Sequence, residues 1–149
     1  MNKIVKAEEK DLKELGRLFN LYRIFYKEDD DLEKASRYIL ERFNHGDSEI
    51  FVAQEGNAEL TGFVQLYPSF CSVSAVPILI LYDLYVDSSH RGKGIGRLLM
   101  NSARDFAKGN GFKRLELSTA KDNHIGQSLY ESLGYELDEE FLRYSLDVD

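Results

Sequence analysis

Residues 88–100 read SSHRGKGIGRLLM. Gly92, Gly94 and Gly96 alternate with Lys93 and Ile95, and Arg91 and Arg97 flank them. This composition suits an anion. Where such a loop opens a helix, the first N–H groups lack intrahelical partners and carry the positive end of the dipole. Glycines remove the Cβ atoms that would keep a phosphate away from those N–H groups, and the three cations add charge. A tight surface turn ahead of a helix is the plainer use of the same stretch. Two nucleotide patterns do not fit. No window supplies the Walker spacing G-x-x-x-x-G-K-[ST], and Gly96 falls one residue too early for G-x-G-x-x-G. Glu116 stands about where a ribose-binding acid would, but it alternates with Leu115 and Leu117 and reads as solvent-facing. The pattern present is R-x-x-G-x-G, from Arg91, Gly94 and Gly96.

The elements that must hold this loop follow from hydrophobic spacing. A long strand over residues 78–86 enters it. An amphipathic helix leaves it, with Ile95, Leu98, Leu99, Ala103, Phe106 and Ala107 on one face. Upstream lie a short strand, NKIVKA, and a helix marked by Leu12, Leu15, Phe19, Tyr22 and Tyr26. A second helix spans about residues 31–43, favoured by the acidic run at its start and stopped near Gly46. Two apolar runs around Gly56-Asn57 read as a hairpin, and PSFCSVSAVP reads as irregular. Downstream, FKRLELSTA is a strand, NHIGQSLYESLGY a short helix ended by Gly134, and FLRYSLDV a closing strand. The order β-α-α-β-β-β-α-β-α-β gives one α/β domain over residues 1–149 with a sheet of mixed direction.

Composition narrows the partners. The chain has 149 residues and a net charge of −7. That charge disfavours nucleic acid and fits a cationic substrate. The single cysteine, Cys71, excludes an intramolecular disulfide and points to a reducing, cytoplasmic setting, with Cys71 itself a small buried hydrophobe. No signal peptide or membrane-length apolar run is visible. His45, His90 and His124 form no metal spacing, so no metal is expected.

DLYVDSSHRGKGIGRLL followed by NHIGQSLYESLGY resembles the GNAT superfamily of acyl-CoA-dependent N-acyltransferases, strongly over residues 78–144. Asn-x6-Tyr, from Asn123 and Tyr130, and Leu-Gly-Tyr, residues 133–135, add to the loop at the family's spacing. The pattern YRIFY, FVQLYPSF and LYDLYV is similar to small bacterial members. The resemblance implies an α/β (α+β) fold. Its mixed, mostly antiparallel sheet would have six or seven strands, helices on both faces and a splayed central pair. It implies acetyl-CoA as co-substrate. The backbone of Gly92, Lys93, Gly94, Ile95, Gly96 and Arg97 would bind its pyrophosphate, supported by the Arg91 and Arg97 side chains. Pantetheine would pair with the backbone of Leu84, Tyr85 and Val86, and an N–H near Val86 would face the thioester carbonyl.

The implied reaction is acetyl transfer to a primary amine of a small molecule. A protein amine, or a non-catalytic acyl-CoA-binding module, is the alternative. With a pKa near 10.4, only roughly a few parts in ten thousand of an amine are neutral at pH 7, so a base is needed. Tyr130 holds the family's general-acid position, and Asn123 would both cap a helix and contact the pantetheine amides. Gly126 stands where relatives commonly carry alanine and would permit closer approach of the cofactor. Asp83 matches an acidic position of polyamine acetyltransferases. It is either the base or a structural carboxylate facing away. Tyr82 replaces a second acid of those enzymes. Tyr22, Tyr26 and Tyr67 lie on segments that border the acceptor pocket, or simply pack the core. Homodimers are common in the family.

Overall fold

Alternating apolar residues in the first half of the chain fold as antiparallel strands. In the computed structural model, which describes residues 1–56 and 59–149, Asn57 of the expected turn lies outside the described residues. The strands are β1 (Asn2–Lys6), β2 (Glu49–Glu55), β3 (Glu59–Cys71), β4 (Val76–Val86) and β5 (Leu115–Glu116). They form one sheet in the order β1-β2-β3-β4-β5, antiparallel throughout except for the parallel β4–β5 pair. The helices are α1 (Leu12–Phe25), α2 (Leu32–His45), α3 (Ile95–Gly109) and α4 (His124–Ser132). Residues 1–118 and 119–149 form two compact units.

Within the first unit the sheet carries helices on both faces. Leu15, Leu18 and Phe19 of α1 and Ala35 and Ile39 of α2 are buried with Ile50, Val52 and Phe63. Successive strand residues point to opposite faces, so Phe51 turns the other way and meets Phe106 of α3 at 5.6 Å between ring centroids. Two glycines permit the close approaches. A Cβ at Gly62 would lie 2.7 Å from the Tyr85 carbonyl oxygen, and one at Gly16 would lie 2.6 Å from Ser36 Oγ. The α1–α2 connection is clamped by Asn20, whose Nδ2 donates to Asp30 at 2.8 Å and whose Oδ1 accepts from the Asp31 N–H at 3.0 Å. Asp31 then caps α2, accepting from the Lys34 N–H, and Gly46 ends it in the left-handed conformation.

Several expectations change. The sheet has five strands among the described residues, not six or seven. FLRYSLDV forms no strand, and its Phe141, Leu142, Tyr144, Leu146 and Val148 are 71–91% exposed. An alternating pattern becomes a strand only where a neighbouring ladder accepts it. FKRLELSTA contributes only Leu115–Glu116. PSFCSVSAVP, expected as irregular, is a hairpin: Ser69 pairs with Ile78 and Cys71 with Val76 around a turn where Ala75 takes φ 57°. Cys71 is half-exposed rather than buried, because it stands at that hairpin's end. Among the described residues no helix is long and apolar enough to cross a membrane.

The strand pair expected to splay, β4–β5, lies at the edge of the described sheet. The β4–β5 ladder pairs Leu79 with Leu115 and Ile80 with Glu116 and has no further pairs among the described residues. From Leu81 to Val86, β4 has no ladder partner on its β5 side among the described residues, and the Tyr82 and Val86 carbonyls accept from the Tyr22 and Arg91 side chains.

Candidate active site

The site begins with a register shift. Gln65 of β3 opposes Asp83, but the next residue, Leu66, opposes Leu81. Tyr82 is the extra residue of a β-bulge, and a bulge re-aims side chains. Without it, Tyr82 and Asp83 would point to opposite faces; with it, both line one cleft, together with Ile80. The cleft has a volume of about 770 Å³, within the usual range for small-molecule sites. Phe19, Tyr22 and Arg23 of α1, Lys34, Arg37, Tyr38 and Glu41 of α2, and Tyr67 of β3 complete its lining.

Asp83 is 3% exposed and Gln65 fully buried. Gln65 Nε2 donates to Asp83 Oδ2 at 2.7 Å, and its Oε1 accepts from Ser48 Oγ at 2.8 Å. The Tyr22 hydroxyl donates to the Tyr82 carbonyl oxygen at 3.1 Å and adjoins the Asp83 carboxylate. Burial raises the Asp83 pKa above the ordinary carboxylate range, while the Gln65 and Tyr22 contacts pull it partly back. Desolvation, reinforced by Asp83, pushes the Tyr22 phenol well above its usual value. Desolvation and the Tyr38 contact do the same for Tyr67. Both phenols thus stay neutral hydrogen-bonding groups at ordinary pH, and Asp83 is the buried carboxylate of the cleft.

Tyr67 links the two sides, its hydroxyl lying 2.6 Å from that of Tyr38 and its ring 5.8 Å from Tyr82. Tyr26 does not line the cleft. It packs edge-on against Tyr22 and Phe25.

At the end of β4 the chain passes through a turn, Ser88–His90, into the glycine loop. The Asp87 N–H donates to the Thr61 carbonyl at 2.8 Å, and the Asp87 carboxylate meets Arg17 at 3.3 Å. His90 is buried, with Nε2 lying 3.1 Å from a Glu55 carboxylate oxygen. Gly92 and Gly94 both take φ 78°, and Gly94 caps α3. A Cβ built on either would meet no atom within 4 Å, so open space borders the loop at the helix N-terminus. Arg91 folds back: its Nε donates to the Val86 carbonyl at 2.9 Å, and its guanidinium lies over the Tyr85 and Phe25 rings. Lys93 is exposed, and Ile95 is buried under the first turn of α3.

In the second unit Asn123 caps α4. Its Oδ1 accepts from the Gly126 N–H at 3.2 Å, and its Nδ2 donates to Thr119 Oγ1 at 2.9 Å. A Cβ at Gly126 would come within 2.5 Å of Asn123 Nδ2 and 3.0 Å of Cγ, so the glycine accommodates this cap. Tyr130 is half-buried and adjoins Tyr135 at 6.3 Å between ring centroids.

Sequence reasoning missed Gln65, Tyr38 and the cleft-facing cations Arg23, Lys34 and Arg37. A signal for Gln65 was present, a lone amide inside the apolar run GFVQLY. The α2 residues gave none, because a charged helix face reads equally well as solvated.

The model of the Acetyltransferase (GNAT) family matches residues 15–135. The uncharacterized N-acetyltransferase YhfO of Bacillus subtilis is 43% identical over 97% of both chains. The crystal structure of a probable acetyltransferase superposes with a TM-score of 0.91 at 34% identity, covering 99% of this chain and 98% of the other. A ribosomal-protein-alanine N-acetyltransferase from Brucella melitensis shares the fold, with a TM-score of 0.83 at 23% identity over 99% of each chain. A family match across most of the chain, a glycine loop at a helix N-terminus, and relatives of the same length agree: the chain belongs to the Acetyltransferase (GNAT) family.

Proposed function

We propose that the chain moves an acetyl group from acetyl-CoA to a primary amine of a small molecule, by direct transfer in a ternary complex. One observation carries the reading. A buried carboxylate, Asp83, lies in the wall of an aromatic cleft three residues before the end of the strand that leads to the glycine loop. Acceptor and donor would thus approach the same strand.

The residues fit the co-substrate. The backbone from Gly92 to Arg97 would hold the pyrophosphate in the space that two left-handed glycines leave open. Arg91 still has Nη donors after its Nε is engaged. The β5-side edge of Leu84, Tyr85 and Val86 would pair with the pantetheine amides, and Asn123 would contribute its side-chain amide.

The amine would give a proton to Asp83, directly or through water, and attack the thioester carbonyl carbon. A raised carboxylate pKa makes Asp83 a stronger base than a solvated aspartate. The C–N bond forms, an N–H near Val86 stabilises the oxyanion, and the C–S bond breaks. Tyr130 protonates the departing thiolate, and the second proton, which the nitrogen loses as the amide forms, restores the phenol. Overall an ammonium and a thioester become an amide, a thiol and one released proton.

The test is thiol release from acetyl-CoA against a panel of amines and an amine-bearing peptide, alongside calorimetric binding of acetyl-CoA. Binding at micromolar concentration with turnover on an amine is expected. No binding overturns the reading, and binding without turnover on any amine identifies a non-catalytic module.

A further inference from the structure

The cleft is charged against the rest of the molecule. The chain has 26 acidic and 19 basic residues, yet the helix side of the cleft carries Arg23, Lys34 and Arg37 against one acid, Glu41. The other acid of the lining, Asp83, is buried on the sheet side. Lys34, Arg37, Tyr38 and Glu41 are spaced at three and four residues along α2, so they share one face.

Their counter-charges do not explain them. Arg37 meets Glu33 at 3.8 Å, with the two side chains 59% and 89% exposed. Such pairs contribute about 0–1 kcal/mol and exchange readily. Arg23 meets Glu28 at 3.3 Å. Neither Glu28 nor Glu33 lines the cleft. Lys34 has no carboxylate within ion-pair distance among the described residues, and only its backbone N–H is engaged, by Asp31. Three cations facing a concave aromatic site, in an otherwise acidic protein, focus a positive potential there.

We propose that the acceptor amine also carries an oxyanion, a carboxylate or a phosphate, which Lys34, Arg37 and Arg23 bind on the helix side of the cleft. This rests on reading the cleft as the acceptor site. An arginine fork matches either oxyanion in a bidentate manner, and the lysine ammonium adds a point charge. The amine would then extend toward Asp83 between the Tyr22, Tyr67 and Tyr82 rings. A polyamine would bring a second ammonium against the same cations and be disfavoured.

The test uses matched pairs that differ only in the anion. Amino acids are compared with their decarboxylated amines, lysine with cadaverine and tyrosine with tyramine among them, and O-phosphoethanolamine is compared with ethanolamine. Binding is read by calorimetry with CoA present, and transfer by thiol release. The acid-bearing member of at least one pair should bind about tenfold tighter or more. The carboxylate and phosphate arms tell which oxyanion is preferred. The Lys34→Ala/Arg37→Ala double variant, with its fold checked by circular dichroism, should bring that preference toward unity, mainly through KM. Preferential binding of acids without any acetyl transfer would leave this proposal standing and remove the enzymatic reading. If no acid-bearing amine binds better than its partner, or the double variant leaves the preference intact, the proposal is overturned.

Discussion

Gln65 Nε2 donates to Asp83 Oδ2 at 2.7 Å across the register pair beside the bulge. Ser48 holds the other end of the amide, so the donor faces the carboxylate. This contact favours the charged form of Asp83 and opposes the effect of burial. Gln65→Leu suits the apolar strand but removes that donor. The Asp83 pKa should then rise further, and the acid limb of kcat/KM should move to higher pH. A purely structural loss would instead lower activity by one factor at every pH.

Asp83→Asn keeps the shape and the Gln65 contact while removing the proposed base. Turnover should fall by about 10²–10⁴. Stability should not fall with it. The folded pKa of Asp83 lies above its unfolded value, near 3.9. Between those two values the native state binds more protons than the unfolded state, so wild-type stability declines as pH rises through that window. The variant lacks this titration. Its stability relative to wild type should therefore grow from about pH 4 up to the folded pKa and then level off. Urea unfolding across that range reads it, and a difference that shrinks with rising pH would contradict the raised pKa.

Much of this arrangement was legible in the sequence. The glycine loop, its helix and the Asn123 cap depend on local chemistry: left-handed glycines, an N-cap, an apolar stripe. The cleft was not. Whether Asp83 faces the pocket depends on one extra residue in a ladder, and the sequence around Tyr82 looks the same with or without the bulge. Likewise, the stripe in FLRYSLDV needs a ladder partner that no local pattern specifies.

Gly94→Ala separates the two uses of the loop. At φ 78° an alanine costs about 1–2 kcal/mol of backbone strain, and its Cβ would enter open space. If that space receives the pyrophosphate, affinity for acetyl-CoA should fall by more than the stability change accounts for, at least tenfold. Equal losses in Tm-derived stability and affinity would mean that the loop is a turn alone.

Tyr130→Phe removes a hydroxyl and keeps the ring that adjoins Tyr135. Acetyl-CoA binding should persist, while kcat falls by about 10²-fold or more if the phenol protonates the thiolate. An unchanged kcat with the same acceptor would remove Tyr130 from the mechanism.

Gly126→Ala should break the usual rule for helix glycines. Alanine normally stabilises a helix interior by roughly 0.5–1 kcal/mol over glycine. Here the new Cβ would meet Asn123 Nδ2 at 2.5 Å and Cγ at 3.0 Å, so the capping side chain must leave its place. Losing an Asn cap costs about 0.5–2 kcal/mol, which offsets or exceeds the propensity gain. The expected result is no gain in Tm and faster hydrogen exchange in the first turn of α4. Gly109→Ala, at the last residue of α3 with nothing within 4 Å, serves as the comparison and should cost no stability. Because Asn123 is also the residue proposed to meet the pantetheine amides, Gly126→Ala should weaken acetyl-CoA binding where Gly109→Ala does not. A clear stabilisation by Gly126→Ala with unchanged cofactor affinity would show that the Asn123 side chain can be moved at no cost to either role.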